Sequence, residues 1–246
     1  MHFRPSYING LTVPQREFSW PEGEDLLDPE ISQISRLRPQ FQEEYAANGP
    51  SFLRPNCPLD RVMREKTPFP TVLITGASGG IGEAFAHVAA GEGHPLILVA
   101  RTEAELHRVR GVVIARYAVP VTVIVLDLSK PGACDELANE LEARKLAPDI
   151  LINNAGFGLI GKAAELPREN QLQMIDLNVR ALSDLTLRFL PAMIAKGSGG
   201  IINVASTAGF MPGPNMAVYF ATKAYVMSFT EALFEETKGS GVTLTT

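Results

Sequence analysis

From residue 70 onward the sequence alternates short apolar, β-branched runs with longer stretches of helical spacing, and few folds accept that rhythm. The runs are TVLIT (71–75), PLILVA (95–100), VTVIVLD (121–127), DILINN (149–154), GIINVAS (200–206) and GVTLTT (241–246). Helical stretches separate them at 80–92, 102–117, 131–145, 168–196 and 217–238. Strands apolar along most of their length belong in a parallel sheet covered on both faces, and each parallel pair needs a crossover helix. The expected fold of 70–246 is therefore α/β, a Rossmann-like doubly wound parallel sheet with helices on both faces.

Residues 1–69 read differently. Ten of the 18 prolines fall within residues 1–70, and no sustained period of 2 or 3.6 is present there. Proline fixes φ and removes a donor, so extended chain with at most short helices is expected, near Ser32–Arg38 and Pro39–Ala47. Leu26, Leu27, Ile31, Ile34, Leu37 and Phe41 would supply an apolar face if this segment packs; disorder is the alternative.

Composition excludes several function classes. A net charge of −5, from 22 basic and 27 acidic residues without a basic run, gives no reason to expect nucleic acid as a partner. The opening MHFRPSYINGL lacks the apolar core of a signal peptide, and no apolar stretch reaches the length of a membrane span, so a cytoplasmic protein is expected. Two cysteines, Cys57 and Cys134, lie far apart, and the four histidines show no ligand spacing, so no metal is expected.

The first strand runs into TGASGGIGEAFA, in which Gly76, Gly80 and Gly82 open a helix. A strand, a glycine turn and a helix N-terminus present backbone N–H groups and a positive dipole end to a pyrophosphate. The same residues satisfy G-x-S-x-G, the nucleophile elbow of hydrolases. That chemistry needs an acid and then a His later in the chain, and the last His here is His107. A P-loop is excluded because no Lys-Ser or Lys-Thr follows the glycines. The second strand ends in LVART, with Arg101 where a free ribose 2′-hydroxyl would call for Asp or Glu. A guanidinium suits a 2′-phosphate, so NADP(H) is favoured over NAD(H).

Tyr219 and Lys223 stand four apart in AVYFATKAYV, on one face of a helix. The ammonium there stabilises a tyrosinate and lets the phenol exchange a proton with a carbonyl or carbinol oxygen. Ser206 ends the fifth run and NNAG (153–156) ends the fourth, where strand ends meet a cofactor crevice.

Together these elements resemble the short-chain dehydrogenase/reductase family. TGxxxGxG matches Thr75–Gly82, NNAG matches Asn153–Gly156, and the Asn, Ser and YxxxK elements match Asn178, Ser206, Tyr219 and Lys223. The resemblance implies Tyr219 as general acid or base and Ser206 holding the substrate oxygen. It further implies Lys223 on the nicotinamide ribose and Asn178 anchoring a water that links Lys223 to solvent. On the cofactor side it implies Gly76, Ser78, Gly80, Ile81 and Gly82 at the phosphates, Arg101 at the 2′-phosphate, Asp127 and Leu128 near adenine, and Asn154, Ala155 and Gly156 lining the cleft. Asn178 as a mere helix kink and Asp127 as a strand terminator are the plainer alternatives.

The sequence departs from the family at both ends. Members start within a few residues of the first strand, and they continue past the sixth strand into a Pro-Gly turn, a covering helix and a seventh strand. A sheet incomplete at its C-terminal edge and weak turnover are accordingly expected, with Thr246 inside the sixth strand. Phe157, Leu159, Phe210, Met211, Pro212 and Met216 beside the site point to an apolar carbonyl or secondary alcohol as the small-molecule substrate. The family also implies a homodimer or homotetramer through the helices at 168–196 and 217–238. A non-catalytic cofactor-binding scaffold and a subunit completed by a partner chain are the rival readings.

Overall fold

The computed structural model describes residues 69–246, so the short helices expected at Ser32–Arg38 and Pro39–Ala47, and nearly all of the 1–69 extension, lie outside the described residues. The described elements run β1 (Val72–Thr75), α1 (Gly80–Gly91), β2 (Leu96–Ala100), α2 (Glu103–Tyr117), β3 (Val121–Val125), α3 (Ala133–Ala143) and β4 (Ile150–Asn153). They continue with α4 (Arg168–Ile175), a π-helical segment (Asp176–Ala181), α5 (Leu182–Lys196), β5 (Gly199–Asn203), a 3-10 turn (Thr207–Phe210), α6 (Ala217–Glu236) and β6 (Val242–Thr245). All five strand pairings are parallel, in the order β3-β2-β1-β4-β5-β6. The order reverses between β1 and β4, and there the crossovers leave a crevice at the carboxyl ends of the strands.

Strand periodicity divides the core in two. Leu73, Ile97, Val99, Leu151, Ile201 and Leu244 face Leu137 and Leu141 of α3, Leu185 and Met193 of α5 and Leu233 of α6. Val72, Ile74, Leu96, Leu98 and Ile152 face Ala86 and Ala90 of α1 and Leu106, Val109 and Val113 of α2. Every residue of β1 and β2 is buried, as a sheet covered on both faces requires. On β6, Leu244 is buried while Thr243 and Thr245 are exposed.

Several strands stop short of their apolar runs. β3 ends at Val125 because Asp127 closes a turn on Ser129, and β5 ends at Asn203, so Ser206 lies beyond the strand instead of at its tip. The helix at 168–196 is not uniform, since the π segment inserts one wide turn into it. No helix among the described residues is long and apolar enough to cross a membrane.

Beneath the sheet's carboxyl edge lies a buried polar network that the apolar patterning gave no sign of. Asn153 and Asn203 are register neighbours on β4 and β5. Asn153 Nδ2 donates to Asn203 Oδ1 (2.9 Å) and to Thr186 Oγ1 of α5 (3.0 Å), and Asn203 Nδ2 donates to Thr230 Oγ1 of α6 (3.0 Å). These hydrogen bonds fix two helices against two strands. Replacement of Asn203 by Ala removes one hydrogen bond from each of Asn153, Thr186 and Thr230, all buried, so Asn203→Ala is expected to lower stability by about 2–4 kcal/mol, read as a lower urea midpoint by far-UV circular dichroism.

Candidate active site

The site is assembled where β1 and β4 meet. Thr75, the last residue of β1, accepts hydrogen bonds at its hydroxyl from the backbone N–H groups of Asn154 and Ala155, each 3.0 Å long. Asn154 replies through Nδ2, donating to Thr75 O (3.0 Å) and Gly76 O (3.2 Å). The NNAG turn is thereby stapled to the glycine turn. Space inside the staple admits no side chain: Gly76 has φ +66°, and a Cβ on Gly82 would lie 2.2 Å from Gly76 O and 2.7 Å from Asn154 Nδ2. By contrast nothing lies within 4 Å of a Cβ built on Gly80, at the open mouth of the turn. The N-terminus of α1 is thus bare backbone facing outward, with Ile81 exposed and Ser78 partly so, which fits a pyrophosphate.

Arg101, Arg108 and Arg110 follow β2, and the structure separates them. Arg108 is committed bidentately to Glu83 (both 2.8 Å) and through Nε to Glu105 (2.7 Å), and Arg110 donates to Val121 O (3.1 Å). Arg101, exposed just past β2, forms no hydrogen bond or ion pair among the described residues. One strand further out, Asp127 Oδ1 accepts from Ser129 N (3.1 Å) and Ser129 Oγ (2.7 Å). Burial alone would raise the Asp127 carboxyl, but those two hydrogen bonds, with Lys130 and Arg101 nearby, hold it below its usual range. Leu128 is only 6% exposed and belongs to the apolar core.

At the other end of the crevice, α6 carries Tyr219 and Lys223 in its first two turns. Lys223 is buried; its Nζ donates to Val204 O (2.7 Å) and lies 5.9 Å from the centre of the Tyr219 ring. Desolvation lowers the pKa of this ammonium. Ser206 caps the 3-10 turn, its Oγ accepting from Ala208 N (3.1 Å), which leaves the hydroxyl proton available to another acceptor. That turn rests hard on α6: a Cβ on Gly209 would meet Met227 Sδ at 2.4 Å and Lys223 O at 2.9 Å.

Asn178 sits in the π segment and is 1% exposed. Its side chain brackets the backbone of Phe157, accepting from the N–H (3.1 Å) and donating to the carbonyl (2.9 Å), and also donates to Thr222 Oγ1 (3.2 Å). Thr222 in turn donates to Tyr219 O (2.7 Å). Asn178 therefore lies in the wide π turn of its helix, and it ties the backbone just after the NNAG turn to the Tyr219 turn. Thr75 and Thr222 are the residues that sequence reasoning passed over. Each stood inside a recognised motif, and a hydroxyl at a strand's last position or beside a key lysine is the signal available.

A family model for short chain dehydrogenase matches residues 70–246. The chain belongs to that family. Among its relatives, very-long-chain 3-oxoacyl-CoA reductase of Mus musculus is 30% identical over 174 residues, covering 69% of this chain and 55% of the reductase. The chain thus spans about half the length of that relative. Among solved structures, the bulky-bulky ketone specific alcohol dehydrogenase of Comamonas testosteroni matches with a TM-score of 0.67 and 32% identity, covering 73% of each chain. A short-chain dehydrogenase of Sphingobium yanoikuyae in complex with NADPH matches with a TM-score of 0.66 and 38% identity, covering 71% of this chain and 68% of that one. The Rossmann-like architecture is shared with these short-chain dehydrogenases.

The desolvated ammonium sets a pH dependence with a definite sign. Because Lys223 has a lower pKa folded than unfolded, the unfolded chain binds more protons in the window between the two values, and stability contributed by this group rises with pH there. Relative to Lys223→Met, the wild-type chain is expected to gain stability as pH rises from about 7 to about 10, measured by urea unfolding of both proteins across that range. A constant difference would contradict the burial cost.

Proposed function

We propose that the chain is an NADP(H)-dependent oxidoreductase that interconverts a carbonyl and a secondary alcohol on an apolar substrate. The observation that carries this reading is the convergence on the first turns of α6. Tyr219, buried Lys223, the Ser206 turn and the Asn178–Thr222 tie meet at the same sheet edge as an open glycine turn. The residues suited to the cofactor are Gly76, Ser78, Gly80, Ile81 and Gly82 at its phosphates, Arg101 at its 2′-phosphate, Asp127 toward adenine, and Asn154 to Gly156 with Lys223 along the nicotinamide half. When bound, NADPH supplies the hydride.

The chain's own residues supply the proton and the geometry. The Ser206 hydroxyl donates to the substrate oxygen, and the Tyr219 hydroxyl gives it a proton as the alcohol forms, taking one back in the reverse direction. Lys223, pinned to Val204 O, keeps a positive charge beside the tyrosinate so produced. Asn178 holds the Tyr219 turn through Thr222. An NADP(H) preference is supported by Arg101 having no hydrogen bond or ion pair among the described residues while Arg108 is saturated by carboxylates, and NADPH is named with the Sphingobium neighbour.

The substrate class is supported by what surrounds Tyr219. A small cavity beside it is lined by Leu159, Leu166, Met174 and Met216 together with Gln171, and Phe210 and Met211 are exposed. A long-chain acyl-CoA ketone and a bulky ketone are the substrates named with the mouse and Comamonas relatives. Exposed Leu187 and Ile194 on α5, with Tyr225 and Phe234 on α6, support self-association through those helices.

The purified chain is expected to bind NADPH at least about tenfold more tightly than NADH in a fluorescence titration, and Arg101→Asp to erase that preference. Equal affinities would remove the 2′-phosphate assignment. Tyr219→Phe is expected to bind NADPH normally while losing about 100-fold or more of its rate on a bulky aryl ketone. Faster reduction of small polar ketones than of bulky ones would sink the substrate class.

A further inference from the structure

Asp127 does not stand alone at the adenine end. Both hydrogen bonds it accepts fall on Oδ1, from the backbone and the hydroxyl of Ser129, while Oδ2 accepts none from the described residues. Ser129 is 6% exposed, so its hydroxyl has few ways to turn. Gln173 of α4 closes the remaining freedom, donating from Nε2 to Ser129 Oγ (3.0 Å). A hydroxyl has one proton, and with its oxygen occupied by the Gln173 amide, that proton is left to Asp127. The relay runs one way, from Gln173 to Ser129 to Asp127, and it ends on a carboxylate with one oxygen fixed and one open.

We infer that Ser129 and Gln173 are positioning residues for recognition of the adenine base, holding the Asp127 carboxylate so that Oδ2 meets the exocyclic amine. The inference rests on the NADP(H) reading above. A carboxylate oxygen accepts from an amine and repels a carbonyl, so a correctly held Asp127 discriminates adenine from hypoxanthine, which carries a carbonyl at that position. A turn that merely folds the loop would stabilise the chain but leave that discrimination unchanged.

The test compares NADPH with its hypoxanthine analogue by fluorescence titration of the whole chain. The wild type is expected to bind NADPH about tenfold more tightly than the analogue. Asp127→Asn, whose amide can turn either way, is expected to lose that ratio. Ser129→Ala is expected to reduce it to within about threefold of unity, and Ser129→Thr, which keeps the hydroxyl, to restore it. Gln173→Glu turns a donor into an acceptor that competes for the Ser129 proton, and it is expected to behave as Ser129→Ala. The double variant Ser129→Ala/Gln173→Glu is then no worse than Ser129→Ala alone, because Gln173 acts only through Ser129. A wild-type ratio in Gln173→Glu overturns the relay even if Ser129→Ala fails to fold. A wild-type ratio in Ser129→Ala, with the ratio lost in Asp127→Asn, shows that Asp127 reads the base unaided and overturns the positioning role. A wild-type ratio in Asp127→Asn removes adenine from this position. Absence of all dinucleotide binding overturns the cofactor reading together with this one.

Discussion

The contact between the ends of β1 and β4 is the constraint on which the remainder of the site depends. In a parallel sheet two neighbouring strands whose crossovers leave in opposite directions open a crevice, but a crevice binds nothing unless its two lips are held at a fixed separation. Here Thr75 and Asn154 supply that separation with four hydrogen bonds, and the bare backbones of Gly76 and Gly82 let the lips close to van der Waals contact. Asn154 Nδ2 is shared between Thr75 O and Gly76 O, so the NNAG turn holds both the end of β1 and the glycine turn through one donor. Movement of either lip breaks hydrogen bonds in the other.

A second tier of polar contacts lies one residue deeper and answers a different need. Lys223 sits buried in the site with its ammonium partly stripped of water, a cost to folding that the chemistry proposed for Tyr219 would explain. Asn203 to Thr230 on α6, and Asn153 to Thr186 on α5, index both helices to β4 and β5 by directional bonds. Buried polar groups then serve as registration marks beneath the reacting groups.

Sequence alone disclosed much of this, unevenly. The alternation of strand and helix required the parallel sheet, because apolar runs of four to six residues cannot be buried on both faces any other way. Gly76, Gly82, Tyr219 and Lys223 were legible because their roles are local: a turn, a close approach, a shared helix face. Thr75, Thr222, Asn203 and Thr230 were not, since each acts on a partner dozens of positions away, or through a backbone carbonyl with no identity in the sequence. The distinction between Arg101 and Arg108 was equally hidden. Only the position of Glu83 on the neighbouring helix shows that Arg108 is already spoken for. The π segment escaped because hydrophobic spacing does not register a single wide turn.

The helix that contains that segment ties the two ends of the crevice into one body. Gln171 and Gln173, two residues apart, project to opposite sides of α4. Gln171 donates to Ala163 O and Leu166 O, shaping the loop beside the Tyr219 cavity, while Gln173 donates to Ser129 on the adenine side. Asn178 follows Gln171 by seven residues, about two turns, and so returns toward the same side, where it grips Phe157 and Thr222. A regular helix through this point would leave its backbone hydrogen-bonded to itself at every residue; the π turn widens it at the position where Asn178 reaches between the NNAG turn and α6. One helix therefore reaches the loop at Ala163 to Leu166, the Asp127–Ser129 turn and the first turns of α6 with three amide side chains. A rotation of that helix that disturbed one of the three contacts would disturb the other two, so the spacing between the two ends of the crevice is set by a rigid element instead of by separate loops.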